Sequence, residues 1–68
     1  MATAIYEVKP LGDGWEIRMA GDSVRELATT REAAVARARQ LVDGFGSGRV
    51  IVRGASGEVE GEYVQEAR

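Results

Sequence analysis

The sequence contains no cysteine and no histidine. Without cysteine, neither disulfides nor thiolate metal ligands are available. Without histidine, the chain lacks both the most common general base and the most common metal ligand, and its serines have no imidazole to activate them. The composition therefore argues against an enzyme and predicts no catalytic residue, no metal site and no cofactor.

Long apolar segments and an excess of positive charge are also lacking. No segment approaches the ~20 apolar residues of a membrane-spanning helix, and the first residues carry no basic targeting signal. The formal net charge of −2 gives no global attraction to nucleic acid or to anionic lipid. We expect a cytoplasmic protein with no membrane contact, and nothing indicates a small-molecule substrate.

The 68 residues suffice for one domain, residues 1–68, with frayed ends at about residues 1–3 and 65–68. A chain of this length buries only about 60% of the surface exposed by its unfolded state, so its stability is expected to be marginal. A second copy that covers an open side of the sheet would relieve this, and a homodimer is therefore a reasonable expectation.

A turn signal at residues 11–14 separates two alternating segments. Folding these segments back on each other brings apolar residues opposite apolar ones and places opposite charges in register. The facing pairs are Pro10–Trp15, Lys9–Glu16, Val8–Ile17, Glu7–Arg18 and Tyr6–Met19. The pattern predicts a hairpin with one buried face and one solvated face.

A second turn signal, at residues 21–22, predicts a third strand over residues 23–27. Two registers are available. A two-residue turn pairs Met19 with Val24 and Ile17 with Glu26, whereas a three-residue turn pairs Ile17 with Leu27 and Arg18 with Glu26. We favour the second register, because it joins an apolar pair and an ion pair, and a bulge is compatible with it.

A helix follows and is expected to end near Asp43. Thr29 with Glu32 matches a capping box, and Thr30 is the alternative cap. Apolar residues recur at spacings of three and four, which indicates one buried stripe. The stripe comprises Ala34, Val35, Ala38, Leu41, Val42 and Phe45. Gly44 is the predicted left-handed cap at the end of the helix.

Residues 49–53 give the strongest strand signal, and a turn at residues 54–57 predicts a second hairpin. The predicted facing pairs are Arg53–Glu58, Val52–Val59, Ile51–Glu60 and Arg49–Glu62. The element order is thus β-β-β-α-β-β. This order indicates an α+β protein, with a small antiparallel sheet and one helix packed on one face.

These residues resemble the small bacterial proteins of domain of unknown function family 2188. The matching positions are Val8, Pro10, residues 13–17, Thr30, Ala34, residues 38–39, residues 50–52 and residues 57–59. The matching residues span nearly the whole chain. The resemblance implies a fold and carries no established biochemistry.

Two surfaces are candidate functional sites. Apolar residues on the outer face of the sheet, Val24, Ile51 and Val64, suggest a protein-interaction surface. Arg31, Arg37 and Arg39 on the helix suggest a basic ridge that contacts nucleic acid, with Arg25 nearby. Our leading hypothesis is a small non-enzymatic interaction module that binds a protein partner or itself. The alternative is a nucleic-acid-binding accessory protein that uses the arginine ridge.

Overall fold

A computed structural model describes residues 4–21 and 25–66. Six elements follow one another along the chain: β1 (Ala4–Leu11), β2 (Gly14–Met19), β3 (Arg25–Ala28), α1 (Arg31–Phe45), β4 (Gly48–Arg53) and β5 (Val59–Gln65). The α+β class, the element order and the single helix packed on the sheet are as the sequence predicts.

The five strands form one sheet in the order β3-β2-β1-β4-β5. Three of the pairings are antiparallel, but β1 and β4 lie parallel at the centre of the sheet. The prediction of an antiparallel sheet is therefore corrected to a mixed one. The parallel pair arises because α1 carries the chain back across one face and returns it beside β1, as a crossover connection does.

The β1–β2 hairpin has the predicted register at every facing pair, from Pro10 opposite Trp15 to Tyr6 opposite Met19. The preferred register of the third strand is wrong, because Ile17 lies opposite Glu26 and Arg18 lies opposite Arg25. The two-residue-turn alternative gives this pairing for Ile17. Residues 22–24 of the predicted strand and its turn lie outside the described residues.

The register of the second hairpin is also wrong. Arg53 lies opposite Val59, not Glu58, and the pairing shifts between Val52 and Arg53. Because Val52 lies opposite Gly61, one additional residue, Glu60, is accommodated in β5 as a bulge.

Helix α1 begins after Thr30, whose side-chain oxygen accepts a hydrogen bond from the Ala33 backbone N–H at 3.0 Å. Thr30 is thus the cap, and not Thr29. The helix continues through Gly44, and Gly46 takes the left-handed conformation at its end, with φ 92°. The prediction of Gly44 as the C-cap is therefore wrong, and Phe45 lies exposed in the last turn of the helix.

The core lies between α1 and one face of the sheet. Its largest fully buried side chains are Val8 in β1, Val42 in α1 and Val50 in β4. Ala34 and Ala38, both fully buried, bring the helix close to the strands because their side chains are small. No helix in the described part of the chain covers the opposite face of the sheet.

Gly48 allows the close approach of β4 to β1. A Cβ atom at this position would overlap the backbone carbonyl oxygen of Ala4, the facing residue in β1. The parallel pair at the centre of the sheet therefore depends on a glycine where β4 begins.

Candidate functional site

We call the sheet surface that faces away from α1 the open face. Its members alternate with the core residues along each strand. They are Ile5, Glu7, Lys9, Leu11, Glu16, Arg18, Arg25, Leu27, Arg49, Ile51, Arg53, Val59, Glu62 and Val64. The open face therefore combines apolar side chains with charges of both signs.

One complete row of this face crosses all five strands. Successive facing pairs place its members in the order Arg25, Arg18, Glu7, Ile51 and Glu62. Ile51, a predicted interaction residue, is half-buried at an inner position of this row. Carboxylates stand on both sides of it.

The apolar side chains lie mainly at the margins of the open face. Leu27 on edge strand β3 is 68% exposed, and Val64 on edge strand β5 is 54% exposed. Val64 and Ile51 thus lie on one face, as the sequence interpretation places them. Val24, the third predicted residue of this surface, lies outside the described residues.

Glu16 is the most deeply buried charged residue described, with only 3% of its side chain exposed. Three cationic groups surround its carboxylate. The distances are 3.9 Å to Lys9 Nζ, 4.0 Å to Arg18 Nε and 3.8 Å to the nearest Arg25 guanidinium nitrogen. Since α1 lies on the other face, we infer that the aliphatic parts of these neighbouring side chains cover the carboxylate.

Burial has left one Glu16 oxygen without a partner. Its Oε1 atom accepts no hydrogen bond from the described residues. The cationic nitrogens lie beyond hydrogen-bond distance, so Glu16 is neutralised by nearby charge and not by direct donors. An unpartnered buried polar atom is uncommon in proteins, and it distinguishes this cluster from the other ion pairs of the chain.

The remaining open-face cations each have their own carboxylate. Arg53 lies 3.6 Å from Glu7, and Arg49 lies 3.1 Å from Glu62. The Arg49–Glu62 ion pair forms although Glu62 lies opposite Ile51, two residues further along β4. These pairs balance their charges one to one.

The predicted arginine ridge lies on the helix, away from the open face. Arg37 donates to both carboxylate oxygens of Glu26, at 2.8 and 3.2 Å, and Arg31 lies 3.8 Å from Glu60. The Arg39 guanidinium lies over the Tyr63 ring, 4.1 Å from its centroid. Each arginine therefore has a partner within the protein, and two of the three charges are neutralised.

The bidentate contact shifts the ionisation of both partners. Hydrogen bonds from Arg37 lower the pKa of Glu26, reinforced by the positive charge of the guanidinium. The same contact raises the pKa of Arg37. Both groups therefore remain charged at neutral pH.

Sequence reasoning did not identify the cluster of Lys9, Glu16, Arg18 and Arg25. The facing pairs of the first hairpin place the first three residues together. Arg25 joins them only in the register that places it opposite Arg18, and a local preference for opposite charges argues against that register. The two-residue turn, which the sequence pattern does not favour, gives the strand register that would have identified the cluster.

The fold and the open face define a small α+β protein with a five-stranded mixed sheet that is covered on one side. The family model for uncharacterized proteins conserved in bacteria (DUF2188) matches residues 6–64, and the chain belongs to this family. No curated protein and no solved structure matches the chain. Among the described residues, no helix has the length and apolar character needed to cross a membrane.

Proposed function

We propose that the protein is a small non-enzymatic interaction module that binds a protein partner through the open face. The observation that supports this is the distribution of the exposed large apolar side chains. Of the five in the described part of the chain, only Phe45 lies elsewhere. The others are Leu11, Leu27, Val59 and Val64, all on the open face. An uncovered face that carries four of the five exposed large apolar side chains is where a partner would bury most apolar surface.

Charge favours a different protein over a second copy as the occupant. Among the described residues, the open face holds five basic and three acidic side chains, although the whole chain carries a net charge of −2. Two copies docked face to face would bring two surfaces of net positive charge together. A partner with an acidic and apolar surface complements this face in both respects.

The experiment is capture of partners from a lysate of the source organism, with and without nuclease treatment, followed by calorimetry with the purified partner. Leu27→Ser combined with Val64→Ser removes two exposed apolar side chains from the open face. Phe45→Ser is the matched control, because Phe45 is 53% exposed, close to the 54% of Val64, but lies off this face. We expect the double variant to bind about tenfold more weakly and the control to bind unchanged.

Equal binding by the wild type and the double variant would contradict the proposal. Retention of nucleic acid alone, lost on nuclease treatment, would favour the helix arginines instead. Light scattering tests directly whether two copies of the chain associate. A wild-type dimer that the double variant converts to a monomer would assign the open face to self-association and overturn the choice of a separate partner.

A further inference from the structure

The positive charge of the open face is concentrated at one end. Lys9, Arg18 and Arg25 share the single carboxylate of Glu16, so two of their three charges are not neutralised within the cluster. The other two open-face cations have one carboxylate each. The excess charge therefore lies where β1, β2 and β3 adjoin.

The cationic groups of this cluster are accessible and have unused donors. Their side chains are 38%, 36% and 52% exposed for Lys9, Arg18 and Arg25. Within the described residues their charged ends make ion contacts near 4 Å and no hydrogen bonds. An ammonium offers three N–H donors and a guanidinium five, so an incoming anion finds donors that the described residues do not occupy.

The buried carboxylate limits how far these cationic groups can separate. Glu16 lies beneath them with its side chain only 3% exposed, and its charge attracts all three toward one point. Three like charges without this carboxylate would repel one another and separate. A group of cations held close together before binding loses less conformational freedom when an anion arrives.

We propose that Lys9, Arg18 and Arg25 form a carboxylate-binding subsite that takes acidic side chains of the partner protein. The inference rests on the proposed function and names the chemistry of the partner. Guanidinium groups suit carboxylates because they donate two parallel hydrogen bonds to them. Leu27 lies opposite Glu16 and two residues after Arg25 in β3, and its exposed side chain supplies an apolar contact beside the subsite.

The neighbouring residues favour a protein over a nucleic acid. Glu7 lies opposite Arg18 in the same row, and Glu62 lies farther along it. A continuous phosphate backbone crossing this row would meet carboxylates that are already paired with Arg53 and Arg49, and it would find no further excess of positive charge there. An acidic polypeptide can place a carboxylate at the cations and an uncharged side chain elsewhere along the row.

The test uses the full chain labelled with nitrogen-15 and titrated with a short poly-L-glutamate, with a short DNA duplex as the comparison. We expect the glutamate polymer to shift amide resonances of β1, β2 and β3 around Glu16. Arg18→Gln combined with Arg25→Gln should weaken binding about tenfold, because charge-assisted hydrogen bonds are lost. Arg31→Gln combined with Arg39→Gln, which removes the same charge from the helix, should leave it unchanged.

The amide spectrum of each variant also reports whether it is folded. If the double variant does not fold, binding is measured with the single variant Arg25→Gln. Arg25 is the most exposed of the three residues and lies on an edge strand, so this variant should fold. The absence of shifts near Glu16, or equal weakening by the helix variant, would overturn the proposal. Tighter binding of the DNA duplex by the same residues would also overturn it, in favour of a phosphate backbone.

Failure of this inference is distinguishable from failure of the proposed function. One outcome is that the Leu27→Ser and Val64→Ser variant fails to bind the natural partner while the Arg18→Gln and Arg25→Gln variant binds it normally. In that case the open face binds the partner, and the proposal of a carboxylate subsite is wrong. If the partner binds both variants as it binds the wild type, the proposed use of the open face is itself wrong.

Discussion

The two faces of the sheet use the same five strands in opposite ways. On the face covered by α1, valines at the centre are fully buried and small alanines let the helix approach. On the open face, charged side chains lie between apolar ones, and one carboxylate is buried beneath three cations. Adjacent residues of β4 show the contrast, because Val50 is fully buried whereas Ile51 is only half-buried. We infer that the covered face provides most of the stability of the fold.

The largest expected effect comes from making the same substitution, valine to alanine, on each face of the sheet. Val50→Ala removes two methyl groups from the core and should lower the free energy of unfolding by about 2 kcal/mol, because lost burial and a cavity both contribute. Val64→Ala on the open face should lower it by less than about 0.5 kcal/mol. Urea unfolding followed by circular dichroism measures both. Equal losses would mean that the open face is as important to stability as the core.

The covered face was largely predictable from the sequence. The first hairpin has a short turn flanked by segments in which every facing pair agrees in apolarity or charge, so its register was predicted correctly. The spacing of Ala34, Ala38 and Val42 also identified the buried side of the helix correctly. These features depend on contacts between residues close in sequence or on simple periodicity.

The errors arise where distant elements decide the structure. A local preference for opposite charges pairs Arg18 with Glu26, but in the fold Glu26 lies toward the helix and binds Arg37. Arg25 instead joins the cluster around Glu16. The parallel pairing of β1 with β4 likewise depends on the crossover through α1, which no pattern within either strand reveals.

The second hairpin was misread because its charge pattern permits several registers. Glutamates at every second position can face Arg49 and Arg53 in registers that differ by two residues. The bulge at Glu60 then changes the alternation along β5. The cluster around Glu16 on the open face was missed for a related reason, because Arg25 joins it only in the correct register of β3.

A second test asks whether the shared carboxylate supports the open face. Glu16→Gln leaves three neighbouring cations without their common counter-ion and should lower the free energy of unfolding by about 1.5 kcal/mol, because the cations are partly solvated. Added salt should reduce the difference from the wild type by screening their repulsion. Urea unfolding at low and high salt measures this effect.

The matched control is Glu62→Gln, which removes a carboxylate that has one partner, Arg49, and is itself 42% exposed. It should change the free energy of unfolding by less than about 0.5 kcal/mol. If Glu16→Gln lowers the free energy of unfolding no more than Glu62→Gln does, the burial of Glu16 contributes nothing to stability. The contrast between a shared and a one-to-one carboxylate would then fail.

The smallest effect concerns Glu26, which faces α1 and has one well-placed partner. Hydrogen bonds from Arg37 lower the Glu26 pKa on folding. The pair therefore contributes stability above the usual glutamate pKa and loses it as the pH falls through the lowered, folded-state value.

Carbon-13 NMR titration of the Glu26 carboxyl should show this lowered pKa in the wild type and a rise toward the usual value in Arg37→Gln. Arg31→Gln, which leaves the Arg37 contact in place, should not move it. An unchanged Glu26 pKa in Arg37→Gln would show that this ion pair does not form in solution, and the helix-side pair would no longer contrast with the shared carboxylate of the open face.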